Sequence, residues 1–210
     1  MRIDLHVHTA PKSPCSMLQP SDLIRGVAEA GLDGLCLTEH QVLWDPAEVQ
    51  ELAQAANIRL FRGNEITTSQ GDILVFGFYE DVKGILTIQE LREAVLHAGG
   101  FMIAAHPFRG FKTVGVGQLQ LTSERAVKRK VFQFVDAIEV GNGRVSLQEN
   151  ELALQTAERL GLPGTIGSDA HRLDELGKYV MDFERQFETD AELLEELKAG
   201  RYSYSDRHSA

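Results

Sequence analysis

Short β-branched runs alternate with amphipathic helical stretches along nearly the whole 210-residue chain. Strands that are short and continuously apolar are buried on both faces, and regular strand–helix alternation implies parallel strands joined by helical crossovers. The pattern predicts strands at 3–7, 34–37, 59–62, 73–78, 101–105, 137–140, 164–166 and 179–183. Helix starts are marked where a short polar residue precedes a carboxylate by three positions: Asp45 with Glu48, Thr87 with Glu90, Ser146 with Glu149 and Thr189 with Glu192. Gly31, Gly99 and Gly161 fall where such helices would end. An α/β architecture follows, but an open doubly wound sheet and a closed barrel both satisfy it. No repeat, low-complexity segment or linker interrupts the pattern, so 1–210 is expected to be one domain, with 201–210 a loosely held tail.

Composition narrows the function. The chain is 43% hydrophobic and 25% charged, which is too apolar for disorder. No apolar run has the length of a membrane span, and the chain opens directly on the strand-like MRIDLHVHT, so neither a membrane partner nor a targeting peptide is expected. Two cysteines, Cys15 and Cys36, make no disulfide framework, and a reducing cytoplasm is the expected compartment. The net charge of −10 argues against a long duplex nucleic acid as partner. The one basic run, 125–130, alternates with apolar residues at helical spacing and is expected to be a solvated helix face.

Five of the seven histidines lie at or just after the C-terminal ends of predicted strands: His6 and His8 in DLHVHT, His40 in LTEH, His106 in AAHPFR and His171 in GSDAH. Glu39, Glu65, Asp72 and Asp169 occupy the same kind of position. Strand C-termini in parallel α/β folds face a common crevice or mouth, so residues far apart in sequence converge there. His6 and His8, two apart on a strand, project from one face and can reach one metal ion. Asp4 shares that face and is a candidate to orient an imidazole from behind. His97, near a helix C-terminus, and His208, in the tail, are not expected to be ligands.

The succession DLHVHT, TEH, a lone Glu after a strand, AHPFR and GSDAH resembles the PHP (polymerase and histidinol phosphatase) family, and its small stand-alone branch in particular, which begins DxHxHT followed by an SPCS-like segment. The resemblance implies a single-domain, distorted (β/α)7 TIM-like barrel with two or three divalent ions, manganese, zinc or iron, at the strand C-termini. It implies that His6, His8, Glu65 and Asp169 hold a first ion and that Glu65 bridges to a second held by Asp72 and His106. His40 and His171 would hold a third. Asp72 stands where many relatives have His, which hardens the second site. Pro14 stands where relatives with a clear third site have an Asp or His, so Cys15 or water would have to complete that site; the alternative for Cys15 is a small, buried, inert thiol. Glu39 replaces the commoner Asp of a TDH motif and is expected behind the ligands.

The implied reaction is hydrolysis of a phosphomonoester or phosphodiester in a small metabolite, nucleotide or short oligonucleotide by a metal-activated water, with Glu65, His106 and Asp169 central to catalysis. Arg109 and Arg144, on loops after strands, are candidates to grip the phosphate. Loop 111–121 is expected to help select the substrate. Two other readings remain at this point. One is an amidohydrolase-type metal hydrolase, which often bridges its ions with a modified lysine that no middle strand here supplies. The other is a non-catalytic metal-binding module.

Overall fold

The computed structural model describes residues 1–110 and 123–204. Loop 111–121 and His208 lie outside the described residues. In chain order the strands are β1 (Arg2–Val7), β2 (Gly34–Leu37), β3 (Arg59–Arg62), β4 (Asn64–Thr68), β5 (Gly71–Phe76), β6 (Phe101–Ala104), β7 (Ala137–Asn142), β8 (Gly164–Gly167), β9 (Met181–Phe183) and β10 (Tyr202–Tyr204). The helices among the described residues are α1 (Leu23–Ala30), α2 (Pro46–Ala56), α3 (Ile88–His97), α4 (Ser123–Ala126), α5 (Leu147–Leu160) and α6 (Asp190–Ala199).

The strands form two five-stranded sheets, in the orders β10-β9-β1-β2-β3 and β4-β5-β6-β7-β8. In the first sheet β1, β2 and β3 are parallel, with β9 and β10 antiparallel at one edge. In the second sheet β6, β7 and β8 are parallel and β4, β5 and β6 antiparallel. The sheets meet at two seams. At one, Val7 bridges Ala170, and the His8 N–H donates to the Ala170 carbonyl at 2.9 Å. At the other, His40 bridges Glu65, whose N–H donates to the Glu39 carbonyl at 3.0 Å. These are isolated bridges, so no closed barrel exists among the described residues and the expected (β/α)7 barrel is corrected to two abutting sheets.

The departure from parallel order has a local cause. Residues 64–68, NEITT, are polar enough to escape a search for apolar runs, yet they pair antiparallel with β5 through the tight turn at Ser69 and Gln70. No helix intervenes, so β4 and β5 form a hairpin rather than a crossover unit. The 201–210 tail needs a second correction. Tyr202–Tyr204 is a strand on β9, and Arg201 forms paired hydrogen bonds with Glu196 at 2.7 and 2.6 Å.

Helix ends follow the capping signals. Thr87, Ser146 and Thr189 each accept from the backbone N–H three residues on, while Glu90, Glu149 and Glu192 reciprocate. Asp45 caps α2 alone, because Glu48 turns to Lys12 at 3.0 Å. The basic run is not one solvated helix. Helix α4 ends at Ala126, and Arg129 turns inward, bonding the Pro107 carbonyl with its guanidinium over the Phe108 and Phe132 rings. No described helix is long and apolar enough to cross a membrane.

Candidate metal centre

Period-two alternation builds the centre of the site. Ile3, Leu5 and Val7 of β1 enter apolar clusters, while Asp4, His6 and, just past the strand, His8 alternate with them, and all six are fully buried. The next strands deliver Glu39 and His40 after β2, Glu65 on β4, Asp72 at the start of β5, His106 after β6, and Asp169 and His171 after β8. Because β5 runs antiparallel, its N-terminal end lies with the C-terminal ends of the others, which places Asp72 opposite Thr67.

These side chains converge. His6 Nε2 is 3.0 Å from His8 Nε2, 3.5 Å from Glu65 Oε2 and 3.6 Å from Asp169 Oδ1. Glu65 Oε1 lies 2.8 Å from His106 Nε2, and Oε2 lies 3.1 Å from His8 Nε2 and 3.0 Å from His40 Nδ1. Ligand-type atoms fall into four overlapping groups that could each hold an ion: His6, His8 and Asp169; Glu65, Asp72 and His106; His8, His40 and His171; and His6, His106 and Glu139. The first three contain every candidate ligand read from the motifs except Cys15. His171 donates from Nδ1 to the Asp169 carbonyl at 2.9 Å, which leaves Nε2 to face the cluster and Cys15 Sγ at 3.3 Å. Cys15 is exposed, which corrects the expectation of a buried thiol.

The residue set fits divalent cations on one observation in particular. Glu65 Oε2 is buried and receives no hydrogen bond, although four imidazoles surround its carboxylate. A buried carboxylate oxygen without a donor is costly unless a cation completes it. The electrostatics agree. Burial opposes charge on His6, but Asp169, Glu139 and Glu65 hold its pKa well above the usual imidazole value. His8 is raised in the same way by Asp169 and Glu65. Burial likewise opposes charge on Glu65 and Asp169, yet His6 and the neighbouring imidazoles, with Arg109 beside Asp169, hold both carboxyls well below their usual range. Two carboxylates and two histidines thus favour one another's charge, in positions where a cation could act instead.

Backbone geometry is strained where the ligands turn in. His106 has φ +26° and Asp169 φ +54°, conformations that side chains with a Cβ rarely adopt and that collect at functional sites.

The supporting residues separate into those the motifs foretold and those they did not. Glu39 is enclosed by donors: the Thr9 N–H at 2.9 Å, the Thr9 and Ser13 hydroxyls and the Trp44 indole N–H at 2.9 Å. It pins the loop after β1 over the site, and Ser13 in turn reaches His8 Nδ1 at 3.3 Å. Asp4 does not orient an imidazole. It accepts the backbone N–H groups of Ser168, Gly177 and His6 at 2.9, 3.0 and 3.2 Å, locking β1 to β8, and burial raises its pKa to about 6 against those bonds. Arg109 lies against Asp169, and Arg144 pairs with Glu175 at 3.2 Å. A cavity of 180 Å³ opens beside Asp72 and His106, with Arg109 and Arg129 on its wall. His97 is exposed at the end of α3, away from the cluster. Glu139 and Asn142 on β7 were not foretold. Glu139 accepts from His6 Nδ1 at 2.9 Å, and Asn142 Nδ2 lies 3.3 Å from Asp169. The available signal was a carboxylate inside the otherwise apolar run AIEVGN.

Residues 148–202 match the PHP-associated family model. That match accompanies metal-ligand-type motifs that are in order and converge at one mouth. Over those residues the chain is similar to the PHP family. An uncharacterized protein of Methanocaldococcus jannaschii is 28% identical over 186 residues, which cover 87% of this chain and 70% of that protein. Two solved structures share the fold. A two-domain protein from Bacteroides vulgatus, described as containing a PHP-like metal-dependent phosphoesterase, has a TM-score of 0.71 at 20% identity over 98% of this chain. The chain spans 64% of that structure's length. An amidohydrolase from Chromobacterium violaceum, with sulfate bound, has a TM-score of 0.64 at 18% identity and matches 99% of both chains.

Proposed function

We propose that this protein is a metal-dependent phosphoesterase of the small stand-alone PHP branch, acting on a terminal phosphate or short phosphodiester. The observation that carries this is the buried Glu65 carboxylate at the meeting point of His6, His8, His40 and His106, with no hydrogen bond directed at its Oε2. His6, His8, Glu65 and Asp169 would hold a first ion, and Glu65, Asp72 and His106 a second. His40 and His171, with His8 beside them and Cys15 at the rim, would hold a third. Manganese, zinc and iron all suit this mixture of imidazole and carboxylate. Divalent ions held there lower the pKa of water toward ~7 and neutralise charge on a phosphate.

The chain's own residues do the rest. Glu65, His106 and Asp169 fix the reacting centre from three strands of the second sheet. Arg109, half-exposed at the rim and already drawn to a carboxylate, is placed to take a phosphate oxygen when the cluster is loaded. Arg144 is held by Glu175, which also accepts the His171 N–H at 2.8 Å. The chain's net charge of −10 favours small substrates whose affinity comes from one phosphate on the cluster over long duplex nucleic acid.

The second reading is amide hydrolysis, favoured by the amidohydrolase from C. violaceum on the same fold. A glutamate rather than a lysine lies between the candidate ion sites here, which supports the phosphate reading. A phosphatase screen over a metabolite library, with manganese, zinc and iron supplied separately and amides as a parallel arm, tests both. Turnover of phosphate esters is expected. Bound metal with no phosphate ester cleaved would sink the proposal, and amide cleavage would replace it.

A further inference from the structure

Glu139 is the fully buried acidic residue on β7 that no motif singled out, and both of its oxygens are engaged. Oε1 accepts from His6 Nδ1 at 2.9 Å. Oε2 accepts the backbone N–H of His106 at 2.7 Å and the side-chain amide of Asn142 at 3.0 Å, and that same amide lies 3.3 Å from Asp169 Oδ2. One carboxylate thus reaches three candidate ligands by three different routes: an imidazole ring, a main-chain amide and a side-chain amide.

Each contact has a physical consequence. An N–H donated from His6 Nδ1 leaves Nε2 as the ring's free nitrogen, and Nε2 is the atom that faces His8, Glu65 and Asp169. The bond to the His106 N–H holds a residue whose backbone sits at φ +26°, where the chain would otherwise relax and swing the imidazole away from Glu65. The Asn142 amide sets the outer oxygen of Asp169. The approach from behind is equally close. A Cβ at Gly167 would come within 2.5 Å of His6 Cβ and 3.1 Å of Glu139 Oε1.

We infer that Glu139 is a positioning residue shared by the two principal ion sites, and that it is not itself a ligand. The inference rests on the metal-centre reading above. His6, His106 and Glu139 are close enough to be mistaken for an ion site of their own. An ion there would have to displace the proton between His6 Nδ1 and Oε1 while Oε2 stayed committed to two N–H donors. As a brace, Glu139 instead sets the tautomer of a ligand in the first site and the backbone of a ligand in the second, so both sites lose affinity together when it is changed.

The test uses the full chain, stripped of metal and titrated with zinc by calorimetry, for wild type, Glu139→Gln and Glu139→Asp. Glutamine keeps the shape but presents an NH2 group either to the His6 Nδ1–H or to the His106 and Asn142 N–H groups, three donors that the carboxylate satisfies. Both sites are expected to weaken by about 10–100-fold with the number of ions bound unchanged. Glu139→Asp, which keeps the charge but shortens the reach, is expected to recover part of that loss. Nitrogen-15 spectra of the zinc-loaded proteins provide the independent readout. His6 should be the Nδ1–H tautomer in wild type, with the strongly deshielded proton of a carboxylate bond that the glutamine variant loses. Loss of one whole ion, with the other site unaffected, would make Glu139 a ligand and overturn the inference. Unchanged affinities and spectra would reduce it to scaffold. A glutamine variant that does not fold leaves Glu139→Asp to decide, since an unchanged His6 signal and unchanged affinity in that variant also overturn the inference. Wild type that binds no zinc would defeat the metal-centre reading itself, whatever the variants do.

Discussion

Glu65 shows how much one side chain can be asked to do. Glu65→Gln preserves volume and removes charge from a carboxylate that four histidines surround. Outer partners of metal ligands are worth about 10–100-fold, so losing a shared ligand should lower phosphate-ester turnover by more than that. The metal-free variant should still fold, but with a thermal midpoint below wild type, because a buried carboxylate that the imidazoles hold ionised is lost. Near-wild-type turnover with saturating metal would remove the two-ion reading. Cys15→Ser probes the rim. With Sγ 3.3 Å from His171 Nε2, the variant should bind up to about one equivalent less zinc. Equal stoichiometry by metal analysis would leave that position to His40, His171 and solvent. The histidines and acids at strand ends were legible because their spacing and placement recur. Glu139 was not, because a single acid within a strand carries no spacing, and Asp4 was misassigned because the β1 face alone does not reveal that the Ser168 and Gly177 amides sit closer than any ring.

At the level of elements, the seam between β1 and β8 is the most demanding contact. A Cβ on Gly167 would lie 2.5 Å from His6 Cβ and 3.1 Å from the His6 backbone nitrogen, neither of which can move freely. Gly167→Ala should therefore cost about 1–3 kcal/mol by overpacking and lower both the melting temperature and zinc affinity. A variant as stable and as tightly metal-binding as wild type would show that the two strands can separate at no cost. Strand positions such as 34–37 and 101–104 were legible because GLCL and FMIA are continuously apolar. Strands β4 and β10 were missed for the opposite reason. NEITT and YSY carry polar side chains, and their pairing is enforced by β5 and β9 rather than by their own hydrophobicity.

Across the whole molecule, the charge of the site should make metal binding depend on pH. His6 and His8 are raised in the metal-free protein, so their contribution to stability is fully present below the unfolded imidazole value of ~6.5. It is lost as pH rises through the higher folded values. Glu65 and Asp169 are depressed, so theirs is present above the unfolded carboxylate value of ~4 and is lost as pH falls through the folded ones. Divalent ions compete with the imidazole protons, so apparent affinity should climb with pH and binding should release protons. Calorimetry with manganese in buffers of different ionisation heat measures that release. Its absence would mean that the two histidines are not displaced by metal. The two sheets carry one more consequence, for biosynthesis. The Ser168 amide that bonds Asp4 lies 164 residues further along the chain, and β9, the antiparallel neighbour of β1, follows it. The strand that bears His6 and His8 therefore leaves the ribosome long before the segments that clamp it, with its histidines open to any cation in the surroundings. On the proposed metal reading, correct loading would have to wait until residues 164–183 have been made.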